Sequence, residues 1–215
     1  IYSLHFDLLN NNYRHGFYQS FNISDPKPRI IHKATVRDRL IHRTIYRKLY
    51  PFFDRTFISD SYSCRLNKGT HRALDQFRKY ANKVSQNNTR TCWVLQCDIK
   101  KFFASIDHEI LLDILTRYIP DQNILELLKE VVTSFSAQAG TGLPLGNLTS
   151  QLFANDYLNE LDQFVKQKLK AKYYILYADD FVILSDNKLW LNQIVPVIRQ
   201  CLQDRLKLAL HPKKV

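Results

Sequence analysis

Glycine is scarce in this chain, with five in 215 residues, and three of the five fall in one stretch, Gly140-Thr-Gly142-Leu-Pro-Leu-Gly146. Scarcity makes that cluster a place where the backbone turns sharply, because glycine reaches backbone angles that other residues avoid. Cysteine is equally thin: Cys64, Cys92, Cys97 and Cys201 form no CxxC pair and no Cys/His spacing of a zinc site. Disulfides are therefore not expected, and buried thiols are. No apolar run reaches the roughly 18 residues of a membrane span, and the opening IYSLHFDLLNNNY lacks the basic-then-apolar layout of a secretory signal. A soluble cytoplasmic protein with no membrane partner is the expectation. Methionine is missing altogether and the chain starts at Ile1, so a trimmed piece of a longer protein is also expected.

What is present is apolar residues and positive charge. Hydrophobic residues make up 45% of the chain, enough to bury a core and to exclude wholesale disorder. Lys and Arg number 31 against 20 Asp and Glu, a net charge of +11, which predicts an acidic partner. The excess is lopsided. Residues 1–90 hold 17 basic and 6 acidic side chains, whereas residues 91–215 hold 14 of each.

Periodicity supplies the elements. Phe21-Asn-Ile23 reads as a short strand, and Arg37 to Tyr50 as a basic helix with residues 40, 41, 45 and 49 on one face, stopped by Pro51. A loop from Ser59 to Gly69 leads to a second basic helix, about 70–84, and then to the polar linker 85–89, a candidate subdomain boundary. Beyond it, Thr91 to Ile99 is an apolar strand that delivers Asp98 near its end. Helices are predicted at about 107–118, 122–135, 149–170 and 188–208, the last kinked, or starting late, at Pro196. Residues 173–177 and 181–184 form a hairpin turning at Ala178-Asp179-Asp180.

An isolated Asp pair in a turn is usually solvated. Here the pair is wedged between two strand-forming runs, and Asp98 also lies at the end of an apolar strand, without a paired Arg nearby in sequence. Half-buried carboxylates need a counter-charge, and a divalent cation is an economical one. Three carboxylates from two strands suit a pair of hard, oxygen-seeking ions such as Mg²⁺, the arrangement of two-metal phosphoryl transfer.

The ordered set Asp98-Ile-Lys-Lys-Phe-Phe103, Gly142-Leu-Pro-Leu-Gly-Asn-Leu-Thr-Ser-Gln151, Tyr177-Ala-Asp-Asp180 and the Lys pair 213–214 resembles the palm motifs of reverse transcriptases. Pro28-Arg29, Asp38-Arg39 and Ser61-Tyr-Ser-Cys-Arg65 look like the fingers motifs of bacterial members, including group II intron, retron and diversity-generating retroelement enzymes. The resemblance runs from about residue 20 to the end. It implies an α+β fold of palm and fingers, a small antiparallel palm sheet backed by helices, with fingers at 1–90 and 112–147, palm at 91–111 and 148–215, and the primer grip and thumb beyond Val215.

The same resemblance implies roles. Asp98, Asp179 and Asp180 are the catalytic carboxylates, with Asp98 and Asp179 bridging two Mg²⁺ ions (Mn²⁺ as a substitute) and the Ile99 carbonyl a further ligand. Phe103 lies under the sugar of the incoming dNTP, where its ring leaves no space for a 2′-hydroxyl. Lys214, and less so Lys213, stands near the triphosphate and protonates the departing pyrophosphate. Arg29, with Lys27 as a weaker candidate, grips the triphosphate. Leu145, Gly146 and Gln151 line the nucleotide site, Leu145 departing from the glutamine that many relatives carry there. Arg65, Lys68 and Arg72 contact the template strand. The partners implied are an RNA template, a DNA or RNA primer and dNTP, and the accessory protein is left unassigned. Two other classes share a palm: a non-catalytic nucleic-acid-binding module, which tolerates loss of an Asp, and a nucleotide cyclase, which has no use for the basic first section.

Overall fold

The structure is a computed structural model that describes residues 2–24, 28–212 and 214. The chain folds as two compact units, one made of residues 1–53 and 103–156, the other of 54–102 and 157–215. Their helices and small antiparallel sheets are the α+β class that the sequence predicts.

In the first unit, helix α1 (Tyr2–Leu9) precedes a two-stranded antiparallel ribbon, β1 (Gln19–Ile23) and β2 (Arg29–Lys33), in the register Gln19↔Lys33 to Ile23↔Arg29. Helix α2 (Val36–Phe53) follows, burying Ile41, Ile45 and Phe53. Pro51 does not end α2 as expected but sits within its last turn. A proline removes one hydrogen bond to the residue four positions back, and with only two residues remaining the turn survives that loss. After the short α4 (Phe102–Ser105) come α5 (His108–Thr116) and α6 (Gln122–Thr133), which pack on each other. Each starts on an aspartate: Asp107 accepts from the Ile110 amide and Asp121 from the Ile124 amide, both at 3.1 Å, satisfying donors that the first turn leaves open. Helix α7 (Leu148–Gln163) begins in this unit.

The second unit is built on a three-stranded antiparallel sheet in the order β3–β5–β4, from β3 (Trp93–Asp98), β4 (Tyr174–Tyr177) and β5 (Asp180–Ser185). Helix α3 (Thr70–Val84) packs on β4 and β5, where Tyr62, Ala73 and Ile175 are buried with Phe77, Tyr80 and Val182 against them. That cluster ties residues 54–90 to the Asp98 sheet, so the compact units part near residue 53, while the polar linker at 85–89 is a tight turn in which Gln86, Asn87 and Asn88 all have positive φ. The last turn of α7 runs into a π-helical turn, Phe164–Lys168. Helix α8 (Lys188–Leu206) packs on β5 and passes through Pro196 unbroken, held by its buried face Leu191, Ile194, Ile198, Leu202 and Leu206. Of the cysteines, Cys97 and Cys201 are buried as expected, but Cys92 is half-buried and Cys64 is exposed in a positive-φ turn; all four are free. Among the described residues no helix is long and apolar enough to cross a membrane.

Candidate active site

The acidic site lies within the second unit. β3 ends on Asp98 and β5 starts on Asp180, and the antiparallel register sets these two residues directly opposite each other. Directly opposed residues on neighbouring strands project to the same face, so the two carboxylates converge. Asp179 occupies the two-residue connection between Tyr177 and Asp180, and its carbonyl accepts from the Ile99 amide at 3.0 Å. The connection is strained: Ala178 has φ +53°, a left-handed conformation that costs a residue with a Cβ about 1 kcal/mol or more. With the Ile99 side chain fully buried and its amide engaged, its carbonyl is the group left to serve as a ligand.

A third segment completes the site. Lys207 closes α8 in the left-handed conformation, its amide returning to Gln203 and the next amide to Leu202, an αL-type stop. The chain then adds to the outer edge of β3. Leu210 bridges Ile99, the Lys100 amide donates to Ala209 at 2.9 Å, and the His211 amide donates to the Asp98 carbonyl at 2.7 Å. From there Lys214 places Nζ 2.5 Å from Asp98 Oδ2.

Electrostatics follow from this crowding. Asp98 is buried and Asp179 half-buried, while Asp180 lies at the surface. Burial, then the negative charges of Asp98 and Asp179, push the Asp180 carboxyl above the usual range, and a hydrogen bond to Asp98 adds to it. The hydrogen bond to Asp98, reinforced by the charges of Asp98, Asp180 and Asp179, raises Lys214. Both shifts report a strongly negative spot that attracts protons and cations. Among the described residues no three His, Cys, Asp or Glu side chains are drawn together as a metal cage. The donors present, carboxylates and a carbonyl, are nonetheless the hard oxygen set that Mg²⁺ prefers, and the concentrated charge fits a cation.

The residues expected to hold the nucleotide, Arg29, Phe103, Leu145, Gly146 and Gln151, all belong to the first unit. Backbone hydrogen bonds gather them. The His32 amide donates to the Leu145 carbonyl at 2.9 Å and Asn147 Nδ2 to the His32 carbonyl at 3.1 Å, clamping the Leu145–Asn147 turn to the strand that begins with Arg29. Gly146 has φ +109°, and a Cβ there would lie 2.8 Å from Ile31 Cγ2, so glycine is required twice over. The Leu143 amide donates to the Phe103 carbonyl at 2.8 Å, placing Phe103 beside the same turn. Phe103 is half-buried, unlike the fully buried Phe102, and Arg29 is exposed. Lys27 and Lys213 lie outside the described residues.

Of the template candidates, Arg65 is reassigned. Its guanidinium is spent inside its own loop, on Asp54 Oδ1 at 2.7 Å and on the carbonyls of Asp54, Ile58 and Ser61, and it lies over the Phe57 ring. With its side chain only 6% exposed, it organises the 54–65 loop and offers nothing to a nucleic acid. Lys68 donates to the Ser59 carbonyl at 2.6 Å and sits over Tyr62, and Arg72 is exposed on α3. Sequence reasoning did not find the edge segment 207–211 that delivers Lys214, since a left-handed lysine has no sequence signature.

Residues 23–215 match the family described as "Reverse transcriptase (RNA-dependent DNA polymerase)", and the chain belongs to that family. It is 25% identical to Protein YkfC of Escherichia coli K12 over 89% of this chain and 60% of YkfC. It is 28% identical to the group II intron-encoded protein LtrA of Lactococcus lactis over 65% of this chain and 23% of LtrA. The match thus spans less than two thirds of either relative. Among solved structures, telomerase from Candida albicans, in complex with a TWJ fragment of telomeric RNA, shares the fold at a TM-score of 0.65 and 11% identity, over 96% of this chain and 43% of that one.

Proposed function

We propose that this chain carries the nucleotidyl-transfer centre of an RNA-directed DNA polymerase, adding dNMP units to a primer 3′-hydroxyl on an RNA template with release of pyrophosphate. The observation that carries the reading is the opposition of Asp98 and Asp180 at the strand ends with Lys214 on Asp98. Family membership supports the reaction class.

Asp98, Asp179 and Asp180, with the Ile99 carbonyl, hold the metal ions. Two bound Mg²⁺ ions, or Mn²⁺ in their place, supply Lewis-acid stabilisation of charge on the attacking and leaving oxygens. Lys214 holds its proton more firmly than usual because of its acidic neighbours, and it donates that proton to the pyrophosphate oxygen as the new phosphoester forms at the 3′-hydroxyl and the α,β-phosphoanhydride bond breaks. Arg29 supplies a permanently charged fork for the triphosphate. The Leu145–Gly146 turn and Gln151 line the base and sugar, and the Phe103 ring excludes a 2′-hydroxyl. Lys68 and Arg72, with the basic excess of residues 1–90, bind template phosphates in a salt-sensitive way.

Primer extension by the full-length protein on an RNA template tests this reading. It predicts incorporation of dNTP but not rNTP, abolished by EDTA and restored by Mg²⁺. Template binding without any incorporation, with Mg²⁺ or Mn²⁺ present, contradicts it.

A further inference from the structure

A buried chain of hydrogen bonds runs through the first unit with no part in the chemistry just described. His15 Nδ1 lies 2.7 Å from the Gly16 carbonyl, His15 Nε2 lies 3.0 Å from His42 Nε2, and His42 Nδ1 lies 2.7 Å from Thr149 Oγ1. The three side chains are closed off from solvent: His15 is 0%, His42 2% and Thr149 1% exposed. With one hydrogen on each ring, donor counting assigns the protons. A carbonyl only accepts, so His15 Nδ1 carries a hydrogen, and the Nε2 of neutral His15 is therefore an acceptor. The Tyr18 hydroxyl also lies 3.2 Å from His15 Nε2, but Ser134 spends its own hydrogen on the Val131 carbonyl, so Tyr18 donates to Ser134 Oγ and His42 Nε2 is the donor between the rings, which leaves His42 Nδ1 to receive the Thr149 hydroxyl hydrogen.

Burial keeps the His42 ring neutral. It depresses the His42 pKa to about 4, with His15 lowering it further and Asp38 opposing. The groups around the pair are themselves engaged: Asp38 with Tyr13, Thr35 and the Gly16 amide, Tyr18 with Ser134, and Glu130 with the His15 amide. One end of the chain is thereby anchored in the 13–18 segment. The other end, Thr149, is in the first turn of α7, three residues after Gly146 and two before Gln151.

We propose that His42 is a positioning residue for the nucleotide turn: through Thr149 it fixes the 145–151 segment in the geometry that binds dNTP. This rests on the polymerase reading above.

Two pairs of variants separate positioning from mere packing. Thr149→Val removes the hydroxyl at constant shape and Thr149→Ser keeps it. His42→Asn retains an acceptor where Nδ1 stands and loses the link to His15, whereas His42→Gln reaches toward His15 and loses the link to Thr149. Equilibrium binding of a fluorescent dNTP is measured beside steady-state extension and thermal melting, all on the full-length protein. Thr149→Val and His42→Gln should raise both Kd and KM for dNTP about five- to tenfold, the size of one lost neutral hydrogen bond, with kcat and RNA affinity held. Thr149→Ser and His42→Asn should bind as the wild type does. Wild-type dNTP affinity in Thr149→Val, or parallel losses of kcat, RNA affinity and melting temperature in all four variants, overturns the proposal. A wild type that binds dNTP without extending a primer fails the polymerase reading, while the four Kd values still decide the role of His42.

Discussion

Lys214 places its Nζ 2.5 Å from Asp98 Oδ2, although 116 positions separate the two residues. The contact depends on the antiparallel bridge between Leu210 and Ile99, which turns the end of the chain back onto the strand that bears the carboxylate. Lys214→Gln should therefore slow the chemical step by about 10²-fold, the scale of a lost general acid, with template affinity unchanged. The pH–rate profile separates this role from a structural one. The wild-type rate should fall on the alkaline side as the lysine, held protonated beyond its ordinary range by Asp98, loses its proton, and the variant should lack that limb.

Gly146 leaves no room for a side chain in the turn proposed to hold the nucleotide. A methyl group there meets Ile31 at 2.8 Å in a backbone conformation of φ +109°. Gly146→Ala should destabilise the protein by about 1–3 kcal/mol and raise KM for dNTP, as read from denaturant melts and extension kinetics. Gly140→Ala, at φ +72° with nothing within 4 Å of the added Cβ, carries the backbone penalty alone and should leave KM unchanged.

Asp162 makes stability depend on pH. It is buried and accepts from the Tyr174 hydroxyl at 2.6 Å, and burial pushes its pKa up to about 7. Between about pH 4, where an exposed aspartate ionises, and pH 7 the folded state holds a proton that the unfolded chain has lost. Its stabilising contribution is thus full below about pH 4 and declines as pH rises through 7, by something on the order of 4 kcal/mol. Asp162→Asn should flatten this slope in urea melts taken across that range, and a slope identical to wild type would remove Asp162 from the account.

Arg65 and Arg72 should separate cleanly. Arg65→Gln strips a buried guanidinium from three carbonyls and Asp54, so it should lower stability by about 2–4 kcal/mol. The salt dependence of RNA binding should not move. Arg72→Gln should do the opposite, sparing stability and reducing the slope of log K against log salt by about 0.7 for a single strand.

These contrasts mark how far the residues could be read without coordinates. The ends of strands β3 and β5 were legible because an acidic residue closing an apolar run is rare and needs a reason, and that reason placed Asp98 and the 179–180 pair correctly in the order of elements. The helix starts at Asp107 and Asp121 follow from the same local logic. Arg65 was not legible: positive charge along a sequence does not reveal which guanidiniums are consumed by the carbonyls of their own loop. Pro51 does not stop α2 and Pro196 does not delay the start of α8, because proline's local penalty is fixed while the packing that outweighs it is tertiary. The parting of the compact units near residue 53 was hidden for a similar reason, since Tyr62 and Ala73 meet Ile175 only once β4 has formed. The His15–His42–Thr149 chain joins residues up to 107 positions apart, beyond the reach of any periodicity.

The most direct test of the account is Mg²⁺-dependent primer extension on RNA by the full-length protein carrying Asp98→Asn or Asp179→Asn, with RNA affinity measured in parallel. On the proposed reading each substitution would remove a ligand of the catalytic ions but no basic group that binds phosphate. Extension should fall by at least about 10³-fold, the several kcal/mol of charge stabilisation that a bound metal supplies, with RNA binding intact or slightly tighter. Near-wild-type synthesis by either variant would contradict the assignment of these strand ends as the catalytic centre.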